Sequence, residues 1–368
     1  MLSKLLLTSE RRPGRILRVC KQPLLIQMPP MKQMISNFRT LALLLSVFAL
    51  TLLPLSLSAE TCSNAVEMDA PTRSAIEGAA TGFFADVARN DAASLQRNAI
   101  ASLASNFSAV QAAVTESQPI LGNAQGAVRA TYLLDTGGSG TLQNAEFLCG
   151  IWGTPQFVSF AIPNLPAGRY GLVIMDVKGA KGPYYASFVL QQDAANGPWK
   201  LAGMPSPSPA EVLGHDAPWF LEQARDFKSK GQIHNAWFYY QQAKTLADPV
   251  AFMVTTPVVK LQREMQQSQP ADIPTNGQPV TLAAANGKSY SLTQVFPVFV
   301  ENGMDLVVKY AEPDISDTGK TFQDNMAVIS ALIGKIPEFR QTFQGVVARA
   351  TTPNGQDYGT LLAMKDIK

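Results

Sequence analysis

HDAPWFLEQARDFKSKGQIHNAWFYYQQAKTLADP, residues His215–Pro249, reads as two helices joined by a glycine turn. Asp216 is placed to cap the first helix, and Pro218 falls in the opening turn, where proline is tolerated. That helix is predicted to run to about Lys230, where Gly231 supplies the positive φ that ends it. The second is predicted from about Ile233 to Ala247, with Pro249 beyond its end. Phe220, Ala224 and Phe227 recur at spacings of four and three and share a face; so do Ala236, Tyr240 and Ala243. Small residues opposite large rings let two helices approach closely. Trp237, Phe238, Tyr239 and Tyr240 are consecutive, so their rings surround the second helix. A helix that is apolar all round is buried between layers. The hairpin is therefore predicted to be a core piece wedged between two flanking domains; the competing reading is an exposed aromatic binding surface.

The same residues, with Ile233 added, resemble a single tetratricopeptide repeat. The pattern departs from that family at Gln223, where the repeat carries Leu, and Pro249 comes one residue late. No second copy follows, and about three repeats are needed to build a solenoid with a peptide groove. The resemblance implies the helical-hairpin fold at about 210–268 and does not carry over the family's peptide binding.

At 368 residues the chain allows two or three domains, and a 46% hydrophobic, 16% charged composition suits a globular protein. Its basic balance is local. Residues 1–59 hold eight of the 30 Lys+Arg and one of the 28 Asp+Glu, Glu10; the remainder has 22 basic and 27 acidic residues. Nothing there points to nucleic acid. Thr40–Ala59 has no charge, follows Lys32 and Arg39, and ends in small residues, the pattern of a secretory signal cleaved near Ala59–Glu60. The alternative is an uncleaved anchor, for which the apolar run is short. Thr61 before Cys62 does not fit a lipoprotein signal. Residues 1–30 read as an over-extended start ahead of Met31 or Met34. With Cys20 in the leader, Cys62 and Cys149 remain, and an oxidising compartment predicts a bridge between them, the other reading being two buried thiols. Two histidines in the chain, His215 and His234, and no Cys-x-x-Cys argue against a metal site. No cofactor is expected, and no membrane association once the signal is removed.

Between about 65 and 204 the sequence is predicted to give three helices (Thr72–Arg89, one from Ala92, and Phe107–Glu116 ending before Pro119) and then strands. The strands are read at Val128–Asp135, Phe157–Ile162, Tyr170–Val177, Tyr184–Gln192 and Trp199–Met204, separated by Gly/Pro turns as an antiparallel meander would be. Helices followed by antiparallel strands make an α+β domain. Phe83-Phe84-Ala85, Arg89-Asn90-Asp91 and Pro198-Trp199-Lys200-Leu201-Ala202-Gly203 give this stretch a resemblance to the nuclear-transport-factor-two-like cone fold. That superfamily includes isomerases, dehydratases and non-catalytic ligand-binding or assembly modules, so fold does not choose among them. An enzyme of that type implies a carboxylate or His in the cone. Asp135 and Asp176 are the strand carboxylates, with alternation placing Asp176 opposite Met175 and Val177, and His215 would have to reach back from the hairpin.

Pro205–Pro209 is a stiff linker, Pro257–Gln267 a further helix and Ser268–Gln278 a second boundary. Residues 279–368 read as a small α+β domain, strand–strand–helix–strand–strand, with strands at Ser289–Phe296 and Asp305–Ala311, a helix face of Phe322, Met326, Ile329 and Ile333, and a hairpin about Pro353-Asn354-Gly355. Gly319-Lys320-Thr321 lacks the glycine a phosphate loop needs, since Asp314 stands there. No Gly-x-Ser-x-Gly occurs, and Gly137–Gly140 is a hairpin tip. The expectation is an exported, non-catalytic binding or assembly protein of the cell envelope, taking a protein partner or small apolar ligand. The alternative is an exported enzyme or small-ligand carrier using the first domain's cone: a buried carboxylate in a hollow cone would favour the enzyme or carrier, a cone packed with Phe, Met and Trp the binding protein.

Overall fold

Three of the longer helices begin at an aspartate cap. Asp69, Asp216 and Asp317 each accept a hydrogen bond from the backbone N–H three residues on, at 2.9, 3.0 and 2.9 Å. Such caps stabilise a helix by about 1 kcal/mol each. The structure, a computed structural model, describes residues 60–368 except 139, 151–153, 180, 195, 205 and 302. The predicted leader, 1–59, lies outside the described residues. The architecture is α+β, as the sequence implies.

The first lobe runs β1 (Thr61–Asn64), α1 (Ala70–Ala88), α2 (Ala92–Arg97), α3 (Ala101–Ala104), α4 (Ser108–Leu121), β2 (Gln125–Asp135), β3 (Leu142–Gly150), β4 (Phe157–Leu165), β5 (Arg169–Gly179), β6 (Gly182–Gln192) and β7 (Trp199–Gly203). Helix α4 continues through Pro119, against expectation. Val114 and Leu121 are buried in the core on either side of it, and the Gln118 amide donates to Val114 O and to Val87 O of α1. Packing of the flanking turns outweighs the local cost of proline.

The strands do not form the single meander expected. β2 pairs with β5, giving the order β1-β2-β5-β6-β7, with β8 (Ser208–Pro209) also on β6. The intervening β3 and β4 leave to form a second sheet, in which β4 lies between β3 and a later strand, Met253–Thr255. Alternation along β5 shows why both sheets are needed. Val173, Met175 and Val177 belong to a core shared with α1, α2 and α4; Leu172 and Ile174 belong to another, shared with Phe147, Cys149 and Phe160 of the second sheet. The larger sheet is thus covered by helices on one face and by strands on the other. Cys62 and Cys149 are joined as a disulfide, Cα–Cα 5.1 Å, tying β1 to β3.

After the short ladder β9 (Glu211–Val212) with β10 (His215–Asp216) come α5 (Ala217–Ser229) and α6 (Ile233–Ala247). Gly231 has φ 76°, the left-handed stop expected of it. Trp237, Phe238, Tyr239 and Tyr240 are 5%, 1%, 9% and 1% exposed, so the run is interior on every side. Tyr239 meets Phe220 and Phe227 of α5, and Phe238 meets Phe339 and Phe343. The chain then turns back: β11 (Met253–Thr255) pairs antiparallel with β4, and α7 (Thr256–Gln266) follows.

The last part contains β12 (Val280–Ala283), β13 (Ser289–Val300), β14 (Gly303–Ala311), α8 (Thr318–Lys335), a 3₁₀ turn Pro337–Gln341, β15 (Gly345–Thr351) and β16 (Asp357–Ala363). One more strand precedes the helix than expected. The sheet follows chain order, antiparallel except for β14–β15, which α8 connects as a crossover. The buried stripe of α8 is Thr321, Asp324, Asn325, Val328, Ile329, Leu332 and Ile333; of the residues assigned to it from the sequence, Phe322 is 46% exposed and Met326 only half-buried. The hairpin, α8 and one face of this sheet form a single core. At the α6 N-terminus Glu338 accepts from His234 N and Nδ1 at 2.8 and 2.9 Å, while His234 Nε2 lies 2.7 Å from Asp272, so one imidazole joins three segments.

Candidate functional site

The second sheet covers only part of the outer face of the larger one. Beyond it, that face looks across at the start of α5, the end of α6 and α7, and a cleft of about 840 Å³ lies between. Its sheet side carries Ala130 and Tyr132 of β2, Ile174 and Asp176 of β5, and Tyr184 and Tyr185 of β6. Leu221, Leu246, Met253 and Leu261 face them from the hairpin side, with Glu211 and Asp216 also lining the space.

A bulge in β2 introduces the cleft's guanidinium. Val128 pairs with Met175 and Ala130 with Ile174, leaving Arg129 as the extra residue. Bulges re-aim side chains, and Arg129 Nη1 reaches Asp176 Oδ1 at 3.1 Å while its guanidinium lies 5.2 Å from the Tyr185 ring centre. Burial pushes the Tyr132 and Tyr185 phenols above their ordinary value, with the Arg129 charge acting the other way. Both rings therefore present neutral hydroxyls near pH 7. The cleft offers apolar and aromatic surface, one guanidinium–carboxylate pair, a lysine (Lys178) and two further carboxylates, an arrangement suited to holding a ligand.

Asp176 does lie on the face opposite Met175 and Val177, and it lines the cleft, but it is engaged by Arg129. Asp135 is far from it. The register places Ala127 beside Asp176 and Arg169 beside Asp135, so the two carboxylates stand about eight residues apart along β2, roughly 26 Å. Asp135 accepts from Gly137 N at 2.9 Å, a turn contact. His215 stacks on Trp219 with ring centres 3.7 Å apart and planes 8° from parallel, while Asp216 caps α5. These three residues are not brought together. Sequence reasoning did not single out Arg129 or the paired tyrosines Tyr184-Tyr185; the signal for Arg129 was the charge interrupting the Val128–Asp135 alternation.

The interior between helices and sheet in the first lobe holds Phe83, Phe84, Met175, Phe188 and Trp199, all buried. The chain matches no protein-family model, no curated protein and no solved structure. Among the described residues no helix is long and apolar enough to cross a membrane.

Proposed function

We propose that this is an exported, non-catalytic binding protein of the cell envelope, and that the cleft between the large sheet and the helical hairpin receives an apolar segment of a protein partner. One observation carries the reading: the concavity lies between the lobes, while the first lobe's interior is filled by aromatic and methionine side chains. The cone-like resemblance fits such a role, since that superfamily includes assembly modules. Tyrosine-rich walls supply large contact area at low entropic cost, and the charges of both signs at the rim, Arg129, Lys178, Asp176 and Glu211, can pair with polar groups flanking an apolar segment. A second reading, a small apolar ligand, is favoured by the cleft's volume, which falls in the range of small-molecule sites.

Nile red binding tests the site. The dye should gain fluorescence with the folded protein and lose it with Ala247→Trp, which fills the cleft from the end of α6. Equal dye binding by a folded Ala247→Trp protein would remove the cleft from consideration. Export is tested by N-terminal sequencing of protein recovered from the producing cell. A start near Glu60 supports it, and an intact leader on a membrane-bound form rejects it.

A further inference from the structure

The C-terminal sheet has a second face. Leu306, Val308, Tyr310, Val346 and Ala348 point into the core beneath α8. Their neighbours point the other way, and register aligns them in rows across four strands. Phe296 pairs with Val307, Val307 with Val347, and Val347 with Leu361. This apolar row crosses the sheet from an exposed end to a walled one: Leu361 is 60% exposed, Val307 in the middle is 6% exposed beneath its neighbours, and at the other end an open depression of about 740 Å³ over Phe296 and Lys309 is bordered by Pro274 and Gly277. On one side runs the row Gln294, Lys309, Arg349, Gly359; on the other, Val298, Asp305, Gly345, Ala363.

Two charges beside this row are unsatisfied within the chain. Among the described residues Lys309 makes no ion pair, resting instead 5.8 Å from the Phe296 ring centre, and Asp305 has no hydrogen-bond or ionic partner. Both stand on β14, two residues either side of Val307. That order, acid–apolar–base on one face of one strand, is self-complementary. A two-fold axis laid along the apolar row places each copy's Phe296, Val307, Val347 and Leu361 over their own counterparts. It also exchanges the flanking rows, so Lys309 meets the other copy's Asp305, and Arg349, paired with Asp357 in its own copy, comes over Gly345, beside which the Asp305 carboxylate lies.

We infer that this face is an isologous interface between two copies of the chain, stacked sheet on sheet about 10 Å apart. Four strands at about 4.8 Å and seven residues at about 3.3 Å give a projected face of roughly 450 Å² per copy. Stable interfaces bury about 800 Å² per partner, so the dimer is weak and concentration-dependent.

Sedimentation velocity from about 1 µM to about 1 mM on the purified chain tests this. Wild type should shift from monomer to dimer across that range, less so at high salt. Leu361→Glu, at an exposed position, should stay monomeric while melting like wild type. Lys309→Asp and Asp305→Lys should each be monomeric alone, because each juxtaposes like charges. Mixed together they should form a heterodimer, since one then supplies both acids and the other both bases. Wild type that remains monomeric throughout overturns the inference. So does a wild-type dimer unaffected by Leu361→Glu and the reversals, which would place the interface elsewhere. Single reversals that dissociate but fail to pair when mixed would refute the Lys309–Asp305 exchange.

Discussion

Truncating Tyr240 to alanine removes a ring that is 1% exposed at the junction of α5, α6 and α7. Loss of a buried aromatic costs about 3–5 kcal/mol, from lost transfer energy and the cavity left behind. The hydroxyl is a separate matter. It donates to Glu264 Oε2 at 3.3 Å, and burial together with the Glu264 charge pushes its pKa up to about 12, so it remains a donor at neutral pH. Glu264 is already held by Arg225 in a two-pronged pair at 2.8 and 2.7 Å. Tyr240→Phe therefore leaves a satisfied carboxylate and should cost only about 0.5–1.5 kcal/mol. Urea and thermal unfolding of wild type, Tyr240→Phe and Tyr240→Ala read both quantities. Tyr240→Ala should lower Tm by about 6–20 °C. Because the hairpin and the five-stranded sheet share one core, near-ultraviolet and far-ultraviolet circular dichroism should move together in that transition. An alanine variant within about 0.5 kcal/mol of wild type would refute the buried reading of the aromatic run. A phenylalanine variant as damaged as the alanine one would move the energy from the ring to the hydroxyl.

Cys62 and Cys149 should resist alkylation until reduced, and reduction should lower stability by about 4–5 kcal/mol on chain-entropy grounds, given their separation of 87 residues; two free thiols in the purified protein would contradict this. Acid should destabilise the fold. Arg225 holds Glu264 below the usual carboxylate range; burial opposes ionisation of Asp272 and Asp324, but the hydrogen bonds and charges of His234 and Lys288 respectively outweigh it. Folded values below the unfolded ones mean that this stability is complete above about pH 5 and is lost as pH falls through the folded values, so the urea midpoint should drop below about pH 4; a midpoint unchanged down to about pH 2.5 would contradict the pairing. Gly171→Ala should destabilise by about 1–3 kcal/mol in a urea melt, because the new methyl would sit 2.8 Å from Ile76 Cγ2 where α1 presses on β5, and a neutral result would mean α1 can move away.

What the sequence made legible was whatever is fixed by neighbours along the chain. Asp216, Gly231 and the four-ring run specify the hairpin through capping, a positive φ and an apolar circumference, all local physics. The alternation around Met175 and Val177 gave the facing of Asp176. What escaped depends on remote partners. β11 is three residues long and is a strand only because β4 offers an edge. β3 alternates, with Ala145, Phe147 and Cys149 buried, but an exposed Leu148 blurs the pattern. Phe322 matched the helical period of Ile329 and Ile333, yet at the helix start the buried face is taken by Thr321, Asp324 and Asn325, polar residues that periodicity assigns to the surface. The cleft was not legible at all, since its walls come from strands and helices far apart in the chain, and its guanidinium sits in a bulge that periodicity treats as an error.

The return of β11 to β4 also bears on how the protein is made. Thr256 Oγ1 accepts from Phe157 N across 99 residues, so the smaller sheet is finished only after the whole hairpin has been synthesised. A chain emerging from its amino end would present β4 with one edge bare throughout that interval, and a bare edge invites pairing with a neighbouring nascent chain. The predicted linker at 205–209 is consequently no clean border, its last two residues forming β8 on β6: a chain truncated before it would keep its helices and most of its large sheet but lack the strand that closes β4. Such a fragment should be more prone to aggregation than the whole, and a protease nick in the linker of the finished protein should leave the two pieces bound to each other.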